Sequence, residues 1–278
     1  KLIEFAKEKK AIPFAVFKPS GFGRIDLYEE VSLGKKLNLS EFDEWNRVVA
    51  RFEKVCKASY DSDVALLIDA EESWMQDAVD NLVEEMMVKY NKSKPIVFNT
   101  LQMYRWDRLD YLKKLHEKAK AEGIFIGMKL VRGAYMEKEN ERAIEKGYPT
   151  PICASKEATD ENYDAAVKYM VDHLDMMSIF EGTHNEASTY FLMNLMEEKG
   201  IKSTENKIWF GQLYGMSDNI SYNLADSGYN VAKYLPFGPV KDVMPYLIRR
   251  AEENTSVAGQ TSRELAMIKA ERDRRKGK

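Results

Sequence analysis

The sequence predicts an α/β fold, with a (β/α)8 barrel as the leading architecture. Short apolar runs, typical of parallel strands buried on both faces, alternate with amphipathic helical patterns along most of the chain. Polar residues cluster after almost every apolar run, as they do on the catalytic face of such a barrel. The length of 278 residues is close to that of one α/β barrel. A doubly wound open sheet is the structural alternative.

About seven strands are predicted at roughly regular spacing. They occupy residues 11–17, 64–68, 95–98, 124–131, 177–180, 208–213 and 230–235. Because this count is one short of eight and residues 1–10 resemble the end of a helix, a first strand is expected upstream of Lys1.

Helical patterns separate these strands. They cover residues 40–60, 107–122, 137–146, 160–173, 186–199 and 218–226, with a further helix ending at Tyr90 and a last one at 246–254. Ser40 is the expected N-cap of the first of them. No linker, repeat or low-complexity segment interrupts residues 1–278, so one domain with a charged C-terminal tail is predicted.

Composition argues against several functional classes. The chain has 42 basic and 45 acidic residues and a net charge of -3, which gives no reason to expect nucleic acid as a partner. Two cysteines argue against a disulfide scaffold and fit a reducing, cytoplasmic compartment. No apolar run reaches membrane-spanning length, and no signal-peptide pattern is present, so no transmembrane segment is expected.

Standard catalytic fingerprints are also missing from the sequence. It has no HExxH or paired His/Cys spacing for a metal, no GxSxG elbow, no Walker loop and no GxGxxG. His116 and His173 fall within helical patterns and are interpreted as structural.

Charged residues at the predicted strand ends suit a small zwitterionic substrate. Lys18, Lys129 and Arg132 supply cations, and Asp69 supplies an anion in the same layer. A substrate carboxylate would lie among the cations and an ammonium near the acid. Asp69 has a simpler alternative role as a helix cap.

The adjacent arginines Arg249 and Arg250 lie in the helical stretch 246–254. Neighbouring helix positions point about 100° apart, so the two guanidinium groups converge on one anion only if the helix crosses a pocket mouth. Otherwise the stretch is an amphipathic surface helix with solvated arginines.

Neutral donors follow other strands. Gln102 and the trio 183–185 offer amide, hydroxyl and imidazole groups, and Gly133 would let the backbone approach a phosphate closely. Each also has a simpler explanation, since a lone glycine after a strand is usually a turn and His184 alone is usually structural.

Several ordered motifs resemble the proline dehydrogenase family. They are IDAE (68–71), NTLQMY (99–104), KLVRGAY (129–135), GTHN (182–185), QLYGMSDN (212–219), KYLPFG (233–238) and PYLIRRAEEN (245–254). They follow the order of that family from about Phe14 to Asn254. The family is a distorted (β/α)8 barrel that binds FAD without a Rossmann domain and oxidises L-proline to 1-pyrroline-5-carboxylate. Its last helix lies over the barrel mouth, which is the geometry that the arginine pair requires.

The resemblance implies a role for each matching residue. The proposed catalytic residues are Asp69 and Lys129, with Lys129 beside the reactive edge of the flavin. The proposed substrate-binding residues are Lys18, Leu213, Tyr234, Arg249 and Arg250. The proposed cofactor-binding residues are Ala70, Gln102, Arg132, Gly133, Ala134, Tyr135, Thr183, His184 and Glu253.

The resemblance also sets expectations about the reaction. FAD would bind non-covalently and accept a hydride at N5, and electrons would pass to a membrane quinone that the protein meets only peripherally. Tyr234 would fill the space of the extra hydroxyl of 4-hydroxyproline, so L-proline is the expected substrate. Many bacterial relatives have Arg where this chain has Lys129, so flavin tuning is expected to differ. Residues 21–61 match poorly and carry no assignment.

Two other functions remain open at this point. A barrel with Lys18 or Lys129 at strand ends could be a Schiff-base aldolase whose arginines bind phosphate. A barrel that binds an amino acid without catalysis is the second. A yellow protein that bleaches with proline would favour the flavoenzyme, and borohydride trapping of substrate would favour the aldolase.

Overall fold

Seven parallel strands form one sheet in the part of the chain that the structure describes. The computed structural model describes residues 1–236, 238–256 and 258–276, without the side chains of Asp242, Pro245, Arg249, residues 252–265 and Met267. The strands are β1 (Phe14–Phe17), β2 (Ala65–Ile68), β3 (Val97–Gln102), β4 (Ile126–Val131), β5 (Met177–Gly182), β6 (Ile208–Leu213) and β7 (Val231–Tyr234). Their order in the sheet is their order in the chain. In a doubly wound sheet the order of the strands reverses at a switch point. The order observed here follows the chain without a reversal, so that alternative is excluded.

Helices follow the strands in the expected alternation. They are α1 (Leu2–Ala6), α2 (Ile25–Ser32), α3 (Leu39–Ser62), α4 (Ser73–Tyr90), α5 (Arg108–Glu122), α6 (Met136–Lys146), α7 (Lys156–Asp172), α8 (Glu186–Glu198), α9 (Asp218–Asp226), α10 (Val240–Ser256) and α11 (Ala258–Arg275), with a short 3₁₀ turn at Pro19–Gly21. None of them, over the residues described, is long and apolar enough to cross a lipid bilayer.

Aromatic contacts across the sheet show that it is curled. The ring of Phe14 in β1 packs edge-on against Trp209 in β6, with centroids 5.2 Å apart. In a flat sheet these strands would be separated by five spacings of about 4.8 Å. The Phe14 ring also meets Phe98 in β3 and Phe180 in β5. The inner face of the sheet is therefore closed around an aromatic core, as in a barrel.

Glycines make room for this inner core. A Cβ at Gly127 would lie 2.5 Å from the Phe98 ring, and one at Gly211 would lie 2.2 Å from the Phe180 ring. The opposite face of the strands packs with the helices in a larger apolar layer that includes Leu66 and Ile126.

Two local expectations were wrong. Helix α3 begins at Leu39, and its cap is Asn38 rather than Ser40: the Asn38 side chain accepts from the Glu41 N–H at 3.0 Å while the Glu41 carboxylate accepts from the Asn38 N–H at 2.9 Å. This reciprocal pair satisfies two backbone donors, whereas Ser40, two positions after Asn38, already lies inside the helix. His173 caps the end of α7 instead of lying within it. The basic residues of the C-terminal tail, Arg272, Arg274 and Arg275, lie in the last turn of α11.

Candidate active site

Asp69 is the centre of a charged cluster at the carboxyl ends of the strands. It follows β2, and its Oδ1 accepts a hydrogen bond from the Lys129 Nζ at 2.5 Å. Both side chains are only 10% exposed. Lys129 lies on the inner face of β4, so the curl of the sheet brings residues of two non-adjacent strands into contact. The structure thus pairs the two predicted catalytic residues directly.

Tyr234 contacts the second oxygen of this carboxylate. Its hydroxyl donates to Asp69 Oδ2 at 3.2 Å, and the Lys129 Nζ lies 5.2 Å from the centre of its ring. Burial, and then the negative charge of Asp69, raise the pKa of Tyr234 above its ordinary value. Leu213 in β6 is the direct register partner of Tyr234 in β7. The tyrosine is therefore a neutral hydrogen-bond donor at the wall of the cluster.

Lys18 follows β1 and lies near the same oxygen of Asp69 that Tyr234 contacts. Its Nζ donates to the Tyr135 hydroxyl at 3.2 Å and lies 3.9 Å from Asp69 Oδ2 and 3.8 Å from Glu71 Oε1. Burial opposes its charge, but Asp69, Tyr135 and Glu71 outweigh that effect and raise the pKa of Lys18. Lys18 therefore stays a cation. Tyr135, expected at the cofactor, is in this structure the partner of Lys18.

Glu71 was assigned no role from the sequence, yet it fixes the loop that carries Lys18. Its two carboxylate oxygens accept from the backbone N–H of Ser20 at 2.8 Å and from the Ser20 hydroxyl at 2.7 Å. The side chain is nearly fully buried. Its position two residues after Asp69, in the same strand-end loop, was the available signal.

Helix α10 reaches the same region through its aromatic and basic residues. The ring of Tyr246 lies 6.4 Å from that of Tyr234, and the Arg250 guanidinium lies 5.3 Å from the centre of the Tyr246 ring. Arg250 also contacts the Met216 sulfur at 3.9 Å, in the loop after β6. The Arg250 side chain thus lies near the ends of β6 and β7. The side chains of Arg249 and Glu253 lie outside the described residues.

Gln102 at the end of β3 presents a buried acceptor that has no partner. Its Nε2 donates to the Glu71 carbonyl at 2.9 Å, while its Oε1 has no hydrogen-bond partner among the residues described. A buried polar atom without a partner costs free energy, which a ligand N–H would recover. Ala70, one residue after Asp69, is buried in the neighbouring loop.

Arg132 follows β4 and joins the ends of β4 and β5. Its guanidinium donates to Asp160 at 2.6 Å, to the Thr183 hydroxyl at 3.0 Å and to the Ser188 hydroxyl at 2.9 Å. It also lies 4.4 Å from the centre of the Tyr163 ring. This network places two of the predicted cofactor residues, Arg132 and Thr183, in direct contact.

The next two residues form the turn that follows Arg132. Gly133 has φ of +131°, and a Cβ there would lie 2.4 Å from the Tyr104 ring. Only glycine fits such a backbone against that ring. Ala134 is exposed beside it, so the turn is open to a ligand on one side.

His184 follows β5 and faces two basic side chains. Its Nδ1 lies 2.9 Å from the Ser217 hydroxyl, in the loop before α9. Burial, followed by the positive charges of Lys233 and Arg250, lowers its pKa to about 4. The imidazole is therefore neutral at pH 7. Ser217, like Glu71, was missed as a candidate because only the curl of the sheet places its loop against β5.

Sequence comparisons relate the chain to known proteins. The profile of the proline dehydrogenase family matches residues 3–263. The carbapenem antibiotics biosynthesis protein CarD of Pectobacterium carotovorum subsp. carotovorum is 36% identical over 275 residues, which is 99% of this chain and 71% of that protein. The mitochondrial proline dehydrogenase 1 of Homo sapiens is 40% identical over 238 residues, which is 83% of this chain and 40% of the human protein.

A solved structure shares the fold. Proline utilization A (PutA) from Bdellovibrio bacteriovorus, inactivated by N-propargylglycine, aligns with a TM-score of 0.79 at 22% identity. The alignment covers 92% of this chain and 27% of the PutA chain. It confirms the predicted distorted (β/α)8 barrel. The chain spans about two fifths of the human relative and about a quarter of PutA.

Proposed function

The chain belongs to the proline dehydrogenase family, and from that premise we propose that it oxidises L-proline to 1-pyrroline-5-carboxylate with FAD as its cofactor. The observation that carries the proposal is the buried cluster of Asp69, Lys129, Tyr234 and Lys18 at the strand ends. This cluster supplies cations for the carboxylate of a small amino acid, and one buried acid that holds those cations in place. Such a site is what proline oxidation requires of a protein.

The substrate would be held by charge and by shape. Arg250 and Lys18, with Arg249, would bind the carboxylate, because guanidinium and ammonium groups form strong charge-assisted hydrogen bonds to it. Tyr234 and Leu213, adjacent in the β6–β7 register, would pack on the pyrrolidine ring. Tyr234 would favour proline over 4-hydroxyproline, since an added hydroxyl would clash or lose its hydrogen bonds.

Asp69 would orient the cations rather than bind the substrate amine. Its Oδ1 accepts from Lys129 and its Oδ2 from Tyr234, so both oxygens already have donors. A carboxylate held in this way keeps the Lys129 ammonium in one position. The ammonium of proline would lose one proton to solvent before or together with hydride loss from the adjacent ring carbon, which leaves the protonated imine.

The residues present fit an isoalloxazine ring next to this cluster. The unpartnered Oε1 of Gln102 can accept a ring N–H. Ala70 would contact the ring through its backbone. When bound, FAD would supply the acceptor for the hydride from the ring carbon next to nitrogen. Lys129 would contribute a fixed positive charge beside it, an effect worth a few kcal/mol in a water-poor site.

The anionic and ribose parts of FAD would lie against the ends of β4 and β5. Arg132, Thr183 and His184 provide one cationic and two neutral donors there. The positive φ of Gly133 lets the backbone of this turn approach a phosphate. Ala134 and Tyr135 continue the turn, and Glu253 of α10 would make a further cofactor contact.

The charge of Lys18 argues against this residue as the Schiff-base lysine of the aldolase alternative. A Schiff-base lysine must be deprotonated to attack a carbonyl. The pKa of Lys18 is raised by its acidic neighbours, so this amine is a poor nucleophile and a good electrostatic partner. The resemblance, rather than any contact in the structure, supports a membrane quinone as electron acceptor and a peripheral meeting with the membrane.

A visible absorption spectrum tests the proposal. The purified chain, incubated with FAD and passed through a desalting column, should retain a flavin spectrum that bleaches when L-proline is added without oxygen. Acid denaturation should release intact FAD, because the binding is non-covalent. A chain that stays colourless after reconstitution, or a yellow chain that proline does not bleach, would refute the proposal.

A pair of lysine variants separates the site from general effects. The flavin spectrum of Lys129→Gln should bleach more slowly with L-proline than that of the parent chain, because a fixed positive charge is lost from the site. Lys118→Gln alters an exposed lysine that pairs with Glu84 on the helical surface, and it should bleach like the parent chain. Equal rates for both variants would remove Lys129 from the mechanism.

A further inference from the structure

Ser217 has an unusual backbone conformation beside the candidate site. It precedes α9 with φ of 51° and ψ of 44°, in the left-handed region. Among the residues described, Glu8 and Asp63 are the other non-glycine residues with positive φ, and both are exposed, whereas Ser217 is 4% exposed. A left-handed serine is strained. Its burial suggests that the strain is maintained by a specific contact.

The Ser217 side chain does not cap the helix that it precedes. A serine at this position normally has an extended backbone and accepts a hydrogen bond from the first turn. Ser217 makes no such bond. Its hydroxyl lies 2.9 Å from the His184 Nδ1 instead. The local geometry therefore gives up both a relaxed backbone and a cap, and gains a contact with His184.

A ring of hydrogen bonds holds Ser217 in this position. Its carbonyl lies 3.2 Å from the Ser221 hydroxyl, which is also 2.9 Å from the Gln212 Oε1. The Gln212 amide in turn donates to the Thr183 carbonyl at 3.4 Å, next to His184. The loop before α9 is thus tied to the end of β5 through two routes, which fixes the hydroxyl relative to the imidazole.

The hydrogen of the Ser217 hydroxyl has one acceptor in this arrangement. Among the residues described, His184 Nδ1 is the partner of the Ser217 Oγ. A buried hydroxyl hydrogen needs an acceptor, and a neutral imidazole has one nitrogen that accepts and one that donates. This requirement favours a hydroxyl that donates to Nδ1, with the imidazole proton on Nε2.

We propose that Ser217 is a positioning residue that holds His184 as the Nε2–H tautomer, so that His184 presents a neutral hydrogen-bond donor to an oxygen of the bound cofactor. The identity of that acceptor rests on the proposed function. The tautomer itself depends only on the Ser217–His184 contact.

A neutral donor complements the cations around it. Lys233 and Arg250 supply positive charge near the imidazole, and together with burial they keep it from gaining a second proton. Lys233 is itself held by the Met216 carbonyl at 2.7 Å and by Asp218 at 2.7 Å. A neutral imidazole adds a directed hydrogen bond without adding to the repulsion among these cations.

Nitrogen NMR of labelled histidine tests the tautomer directly. The chain has three histidines, so long-range proton–nitrogen spectra of the protein without added FAD should resolve each ring, and His184→Gln assigns the signal. We expect the His184 spectrum to show the proton on Nε2. His116 and His173 serve as internal references in the same sample.

Two substitutions separate the contact from the backbone strain. Ser217→Ala loses the hydroxyl and keeps the strain, whereas Ser217→Gly loses the hydroxyl and relieves it. Both should give a mixed tautomer at His184 and bind FAD roughly threefold to tenfold more weakly, the value of one neutral hydrogen bond. Ser217→Gly should nevertheless melt at a higher temperature than Ser217→Ala. Asp63→Gly, which relieves a similar φ of 53° at an exposed site, should bind FAD like the parent chain.

The outcomes distinguish this inference from the proposed function. A proton on Nδ1 of His184, or an unchanged tautomer and FAD affinity in Ser217→Gly, would overturn the role of Ser217. A chain that binds no FAD but shows the Nε2–H tautomer would refute the proposed function and the cofactor contact, and would leave the Ser217–His184 contact standing. Weaker FAD binding in Asp63→Gly as well would assign the effect to general backbone change and overturn the inference.

Discussion

The ion pair of Asp69 and Lys129 should contribute strongly to the stability of the site. Its atoms are 2.5 Å apart and each side chain is 10% exposed, so removing one partner leaves the other charge buried. Such a change typically costs about 3–5 kcal/mol. Asp69→Asn keeps an oxygen that can accept a hydrogen bond from Lys129, so we expect the free energy of unfolding to fall by about 3 kcal/mol, near the lower end of that range.

The double variant should recover part of this loss. In Asp69→Asn with Lys129→Met, no charge of the pair remains buried, and the two side chains keep similar volumes. Replacing a buried ion pair by neutral residues is often close to neutral for stability. The two single effects should therefore be non-additive, with a coupling free energy of about 2–3 kcal/mol.

A surface pair provides the matched control. Lys57 and Asp61 in α3 lie 2.6 Å apart, almost the same distance, but their side chains are 61% and 53% exposed. Solvent screens such a pair, so the corresponding cycle with Lys57→Met and Asp61→Asn should give a coupling of about 0.3–0.5 kcal/mol. The comparison isolates burial from distance.

Urea unfolding of the protein without added FAD at pH 7 measures both cycles. The free energy of unfolding in water follows from linear extrapolation for each variant. Additive effects of Asp69→Asn and Lys129→Met, or a coupling no larger than that of the surface pair, would refute the inference that this contact is a strong buried ion pair.

Four further outcomes are expected. Arg250→Ala should weaken binding of a carboxylate analogue of proline about tenfold to a hundredfold, with little effect on FAD binding. This factor corresponds to the loss of one charge-assisted hydrogen bond of about 1.5–3 kcal/mol. An unchanged titration with the analogue would contradict this role. Tyr234→Ser should narrow the preference for proline over 4-hydroxyproline by lowering kcat/KM for proline, and a parent chain equally efficient on both would show that the tyrosine does not set selectivity. Gly133→Ala should destabilise the chain more than Gly147→Ala in urea, because both have positive φ but a Cβ at Gly147 meets open space. The pKa of His184 is about 4 in the folded chain, against its ordinary 6.5. Between these pH values the unfolded chain binds more protons than the folded chain. The stability that the neutral His184 contributes is therefore complete above pH 6.5 and is lost as the pH falls towards 4. His184→Gln should therefore reduce the loss of stability between pH 7 and pH 4.5 by about 2–3 kcal/mol, and an equal loss in both proteins would contradict the neutral imidazole.

The alternation of strands and helices was predictable from the sequence, and with it the common edge where the polar residues meet. In a parallel sheet a helix returns the chain to the same starting edge after each strand, so the carboxyl ends of all strands lie at one edge. Asp69, Lys129 and Tyr234 therefore had to lie at one end of the sheet. Their chemical types indicated a zwitterion site before any distance was known.

The sequence left open which partners these side chains choose. Lys18, Lys129 and Arg132 were equivalent cations in the sequence. In the structure the Asp69 carboxylate lies 2.5 Å from the Lys129 Nζ and 3.9 Å from the Lys18 Nζ, while Arg132 binds Asp160. Local periodicity specifies which face of a strand is buried. The distance between residues on strands that are not adjacent depends on how far the sheet curls.

The same reason explains the residues that sequence reasoning missed. Ser217 directly precedes the predicted helix 218–226, and its contact with His184 exists because the loop before α9 folds back on the end of β5. Glu71 resembles one more acid of a polar loop until its contacts with Ser20 appear. The sequence by itself determined the fold class and the chemical character of the strand-end site, since both follow from short-range patterns. The tertiary structure alone decided the pairings, because long-range distances depend on the packing of the whole barrel.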